Sequence, residues 1–167
     1  YIYSTVARQH LATIATKPTF LFLLREPVSQ IRSVHTYFSN TFDHIPPDMG
    51  FADFVALAEK EDAALNRNEL CQRAIRYADY AQWLDLWRAE IGEGRMMVHL
   101  FEDMVSNPQT YMKALAGRLG IDPTFYDSYD FPKENESYRV KSSALHAINV
   151  RVRDLLPRNS ALYRGLR

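Results

Sequence analysis

Arg25 is the residue whose type and position offer the clearest chemistry. It follows the uninterrupted apolar run Thr19 to Leu24 and stands two positions before Pro27. A continuous apolar run reads as a strand covered on both faces in a parallel sheet. A proline fits the first turn of a helix, where its missing N–H costs nothing. Arg25 therefore falls at a strand-to-helix junction. In open parallel sheets, ligands gather at the carboxyl ends of the strands, where helix N-termini offer free N–H groups to anions. A guanidinium at that edge brings five fixed donors suited to a phosphate. It is equally suited to a structural carboxylate at a strand end, and position alone leaves both readings open.

Other chemistries find less material. The one cysteine, Cys71, can form neither an intrachain disulfide nor a multi-cysteine zinc site, so no metal is expected and a reducing compartment is favoured. Lys plus Arg (20) balance Asp plus Glu (20), so nothing draws the whole chain to nucleic acid or to an anionic membrane, and any anion site must be a local cluster. The longest apolar run is far shorter than the roughly 20 residues of a membrane-spanning helix. Single-Cys usage and the lack of a visible signal sequence lead to a cytoplasmic expectation.

The elements that must position Arg25 follow from periodicity. Past Pro27, Ile31, Val34 and Phe38 recur at helical spacing. After a loop around Pro46-Pro47, Phe51, Phe54, Val55 and Ala58 predict a second helix, and a long third one is expected from Glu69 to Glu90, stopped by Gly92 and Gly94. Met96 to Phe101 reads as a second buried strand, in which His99 is expected to be a hydrogen-bonded core residue. Ser106-Asn107-Pro108 then opens a helix that ends near Gly120, a residue suited to the left-handed position past a helix end. A last helix is expected over Ala144 to Leu156. Strands alternating with helices imply an α/β class: a three-layer αβα domain with a parallel central sheet, residues 1–167 forming one domain. Two strands are few for such a sheet, so the sequence reads as the C-terminal part of a domain whose other strands lie upstream of Tyr1.

The run Phe20 to Ser33 resembles the 3′-phosphate-binding segment of the PAPS-dependent sulfotransferases, PAPS being 3′-phosphoadenosine 5′-phosphosulfate. In that family an apolar strand ends in Arg-x-Pro and a serine follows eight positions after the arginine, as with Arg25, Pro27 and Ser33. Further family landmarks appear in order: Tyr80, Leu84 and Trp87 on a helix, Gly92 and Arg95 at a turn, Glu102-Asp103 after a strand, Asn107-Pro108, and Leu119-Gly120-Ile121. The collinearity covers roughly Thr19 to Ile121.

The resemblance implies a P-loop-like sulfotransferase fold that moves a sulfuryl group from PAPS to a hydroxyl or amine, releasing adenosine 3′,5′-bisphosphate. It implies that Arg25 and Ser33 hold the 3′-phosphate and that Tyr80, or Tyr77 one turn earlier, packs beside the adenine. It also implies that Arg139, with Lys133 and Lys141, closes over the phosphates. Each role has a plainer counterpart: a helix-surface serine, an aromatic core stripe shared with Trp83 and Trp87, and a solvated linker. The family's phosphate loop, with its lysine, does not occur in this sequence, and its catalytic base is expected upstream. His10 and His35 are the candidates for that base or for a substrate-side wall. Two rival classes stand beside this one, a nucleotide-kinase-like phosphate-loop enzyme and a non-catalytic nucleotide-binding module. The acceptor and the oligomeric state carry no signal.

Overall fold

A computed structural model describes residues 2–40, 44–46 and 48–132, all within the unit Tyr1–Glu134. Lys133, Arg139, Lys141 and the helix expected over Ala144 to Leu156 lie outside the described residues.

The apolar runs become two short parallel strands, β1 (Phe20–Leu24) and β2 (Met96–Leu100), in a register that sets Phe20 opposite Met96 and Leu24 opposite Leu100. Before them comes helix α1 (Thr5–Ala12), capped by Ser4, whose Oγ accepts from the Ala7 N–H at 3.1 Å. Between the strands run α2 (Pro27–Asn40), α3 (Phe51–Glu59), α4 (Glu69–Gln72), α5 (Ala74–Ala78) and α6 (Tyr80–Ile91). After β2 follow α7 (Phe101–Ser106) and α8 (Pro108–Arg118). The Asn107 side chain caps α8 by accepting from Thr110 N–H at 3.1 Å, and Gly120 takes the expected left-handed conformation with φ +70°. The result is a mixed α/β, mostly helical structure around a two-stranded parallel sheet. No helix among the described residues is long and apolar enough to cross a membrane.

The single helix expected from Glu69 to Glu90 is broken twice, at Arg73 and at Asp79. At the second break the Arg76 carbonyl accepts from the Gln82 side chain at 3.2 Å and from Trp83 Nε1 at 3.1 Å. These side chains take the acceptor that a continuous helix would offer to the Tyr80 N–H. The breaks let one sequence serve two cores. Cys71, Ala74 and Ala78 pack with Ile31, Phe38 and Phe54, whereas Trp87 and Ile91 pack against Phe22 and Leu24 of β1. A straight helix presents one stripe to one core.

Among the described residues, β1 is covered on one face only. Phe22 and Leu24 are buried against α6, while Leu21 and Leu23, which point the other way, remain 47% and 43% exposed. β2 is shorter than expected by one residue, because Phe101 already belongs to α7.

Candidate functional site

Arg25 leaves β1 at its carboxyl end and borders a cavity of about 580 Å³. Its Nε lies 4.0 Å from Glu102 Oε1 and its guanidinium carbon 5.3 Å from the Phe101 ring centroid. Four ångströms is too long for a hydrogen bond, so Nε is buried without a hydrogen-bond partner while the side chain as a whole stays 40% exposed. The structural-carboxylate reading of Arg25 is thus met in part: Glu102 attracts it through space. The same Oε1 accepts from the Glu26 N–H at 3.0 Å, which ties the strand end to the first turn of α7.

The N-terminus of α2 is engaged by its own chain. Glu26 accepts from the Val28 N–H at 2.9 Å and from the Ser29 N–H at 2.6 Å. Pro27 has no N–H to offer. These backbone donors, Val28 first, hold the Glu26 carboxyl below the usual carboxylate range.

Tyr80, the first residue of α6, lines the cavity next to Arg25. Burial pushes its hydroxyl pKa up; the Arg25 backbone N–H pulls the other way, and the charges of Glu102 and Glu26 add to the rise. Tyr80 therefore stays a protonated donor at neutral pH. Gln30, one turn into α2, also lines the space. Ser33 lies three residues further along α2, half-buried, and is not among the lining residues. Tyr77 is not a lining residue either; it stands behind one, its ring stacked on Tyr3 with centroids 4.0 Å apart at 14°.

Tyr3, Gln30 and Phe101 are cavity residues that the sequence pattern missed. Tyr3 also meets Trp83 edge to face at 5.7 Å, and burial raises its hydroxyl pKa, with Tyr80 and Tyr77 adding to the rise. No periodicity could have flagged Tyr3, because its partners come from α5 and α6, more than seventy residues away in sequence. Trp87 Nε1 reinforces this placement by donating to the Ile2 carbonyl at 2.9 Å.

The histidine candidates go elsewhere. His35 Nε2 sits 3.0 Å from the Met49 carbonyl oxygen, and its ring packs against Phe54 and Phe51 at 5.3 and 5.7 Å, so it sits between α2 and α3 and does not line the cavity. His10 is exposed on α1 and does not line the cavity either. His99 differs from expectation in one respect: its Nε2 is buried with no hydrogen-bond partner, and its ring packs edge-on against Tyr111 at 5.3 Å. Among the described residues no group of three or more His, Cys, Asp or Glu side chains is arranged to hold a metal.

The arrangement is thus a guanidinium, a phenol donor and an amide side chain at the mouth of an apolar and aromatic cavity, where a parallel strand ends. Such a site suits an anionic ligand with a flat, apolar body. Neither family models nor curated proteins nor solved structures give a match to this chain.

Proposed function

We propose that the chain is part of a PAPS-dependent sulfotransferase with a three-layer, P-loop-like αβα fold, and that the cavity at the carboxyl end of β1 receives the donor nucleotide. The observation that carries this reading is the buried, unbonded Nε of Arg25 beside a cavity that Tyr80 and Gln30 also line. A buried cationic N–H without a partner is a group that a phosphate oxygen satisfies. In this reading Arg25 holds the 3′-phosphate by charge-assisted bonds, with Ser33 of α2 as a further hydroxyl donor. Tyr80 lies beside the adenine, and Tyr77 supports it from behind through Tyr3.

The reaction is an in-line transfer of the sulfuryl group to an acceptor hydroxyl or amine, with adenosine 3′,5′-bisphosphate as leaving group. The described residues contribute binding and orientation rather than covalent chemistry. Neither His10 nor His35 lines the cavity, and the reading assigns the base to neither.

Calorimetric titration tests the reading directly. Adenosine 3′,5′-bisphosphate should bind about tenfold more tightly than 5′-AMP, about 1.4 kcal/mol, and Arg25→Ala should abolish that preference. Equal affinities in the unaltered protein would overturn it. Bisphosphate binding without transfer from PAPS to any acceptor would instead identify a nucleotide-binding module.

A further inference from the structure

The break between α5 and α6 falls one residue before Tyr80, and no helix-breaking residue accounts for it: neither proline nor glycine occurs between Glu69 and Glu90. Asp79, which separates the two helices, has ψ 79°, where a helix needs about −42°. It stands where an aspartate ordinarily caps, yet its side chain bonds no backbone N–H of the first turn of α6. Asp79 Oδ2 instead accepts from Gln82 Nε2 at 3.1 Å, and the same amide nitrogen donates to the Arg76 carbonyl at 3.2 Å. Trp83 Nε1 donates to that carbonyl at 3.1 Å, and the Arg76 guanidinium carbon lies 5.9 Å from the Trp83 ring centroid. With the Asp79 N–H also directed at it at 3.4 Å, the carbonyl has no lone pair left for the Tyr80 N–H that would claim it in a continuous helix. Arg76, Asp79, Gln82 and Trp83 thus form a clip across the break.

What the break serves is visible on its two sides. α5 packs on α2 and α3, whereas α6 packs on α1 and presents Tyr80 and Trp87 to the cavity beside β1. Closing the break would turn ψ of Asp79 by about 120°. Because both helices are anchored, that turn cannot leave both in place: Tyr77 would part from Tyr3, or Tyr80 from the strand end. The Tyr80 hydroxyl lies close enough to the Arg25 N–H, Glu102 and Glu26 for each to act on its ionisation, so it stands at the end of β1 from which Arg25 departs.

We propose that Gln82 and Trp83 are positioning residues of the nucleotide site: the clip they form with Arg76 and Asp79 holds the break open, and the break seats Tyr80 beside Arg25. The assignment rests on the reading that the donor nucleotide binds at this end of the cavity. Neither Gln82 nor Trp83 lines the cavity, so both act through the backbone that carries Tyr80. A binding side chain is held to within about 0.5 Å only when residues behind it fix its own placement, and the clip supplies that support.

The test titrates the full chain with adenosine 3′,5′-bisphosphate and 5′-AMP by calorimetry and follows amide hydrogen exchange without ligand. Gln82→Ala with Trp83→Phe removes both side-chain donors and keeps an aromatic ring against Tyr3 and Tyr77. It should weaken the bisphosphate about tenfold. Without ligand it should slow exchange of the Tyr80 amide about tenfold, as the freed Arg76 carbonyl takes that N–H. Gln82→Ala alone, at a half-buried position, should shift both readings in the same direction and serves if the double variant does not fold. In a Tyr80→Ala background the clip changes should weaken binding no further. Leu65→Ala, which opens a cavity in the core around Phe54, should lower the urea midpoint and leave binding unchanged. Three results would each overturn the proposal while the bisphosphate preference of the unaltered protein stands: undiminished binding in the folded clip variants, full loss in the Tyr80→Ala background, or an equal loss in Leu65→Ala. Absence of that preference in the unaltered protein would instead overturn the nucleotide reading, and this assignment with it.

Discussion

Glu102→Gln changes the electrostatics at the Arg25 end of the cavity while keeping its shape. The glutamine retains an oxygen that can accept from the Glu26 N–H, the bond that Glu102 makes at 3.0 Å, so the strand end stays tied to α7. What is lost is a unit negative charge 4.0 Å from Arg25 Nε. Coulomb's law gives about 1 kcal/mol at that separation in water and about 4 kcal/mol at an effective dielectric constant near 20. Both side chains are about two-fifths exposed, at 40% and 43%, which puts the pair near the watery limit, where such pairs contribute about 1 kcal/mol or less. If Arg25 holds the 3′-phosphate as proposed, Glu102 competes with the phosphate for the guanidinium and also repels it. Its neutralisation should therefore tighten adenosine 3′,5′-bisphosphate binding by up to about 1 kcal/mol, roughly fivefold. Calorimetry at low and high salt checks this, and the gain should shrink as salt rises. In an Arg25→Ala background much of the gain should vanish, because the two residues act on the same ligand charge. Unchanged or weaker binding in a folded Glu102→Gln variant would refute the reasoning.

Other predictions concern stability. Trp87→Phe leaves the Ile2 carbonyl without its 2.9 Å partner and shrinks the ring that packs on Phe20 and Phe22; it should destabilise by about 1–3 kcal/mol, read as a lower urea midpoint with an unchanged slope. Acid should weaken the fold through Glu26 and Asp122, whose carboxyls lie below their ordinary values of 4.5 and 3.8. As pH falls, the unfolded state binds these protons first, so their stabilisation is present above about pH 5 and fades below it. Thermal melts between pH 3 and 6 should show this, and Glu26→Gln should flatten the curve. The Cys71 thiol, buried in the core with its pKa pushed up to about 11 by desolvation, should react with a thiol reagent only at the rate of unfolding. Rapid labelling of the native protein would contradict the packing around it.

Local chemistry was legible wherever neighbours in sequence decide it. Phe20 to Leu24 could be read as a strand because its residues are all apolar, Pro27 as a helix start because of its fixed φ, and Asn107-Pro108 as a cap because an amide oxygen reaches the first turn. Gly120 was legible for the same reason. The breaks at Arg73 and Asp79 were not legible. At Asp79 the Arg76 carbonyl is taken by the Gln82 and Trp83 side chains, and neither residue type is a helix breaker. The surroundings of His35 were not legible, because a helical position two residues past Ser33 says nothing of what packs against it; Met49, Phe51 and Phe54 come from a different segment and meet the ring.

The sequence by itself determined where Arg25 would stand: at the end of an apolar strand, before a helix whose start a proline marks. Those outcomes depend on backbone preferences and side-chain polarity over a few residues. Only the tertiary structure decided what Arg25 meets. Glu102 arrives from β2's far end, Tyr80 from a helix freed by a break at Asp79, and Tyr3 from a segment pinned by Trp87. Such meetings depend on how two cores share one run of helices, and that is set by packing between residues distant in the chain.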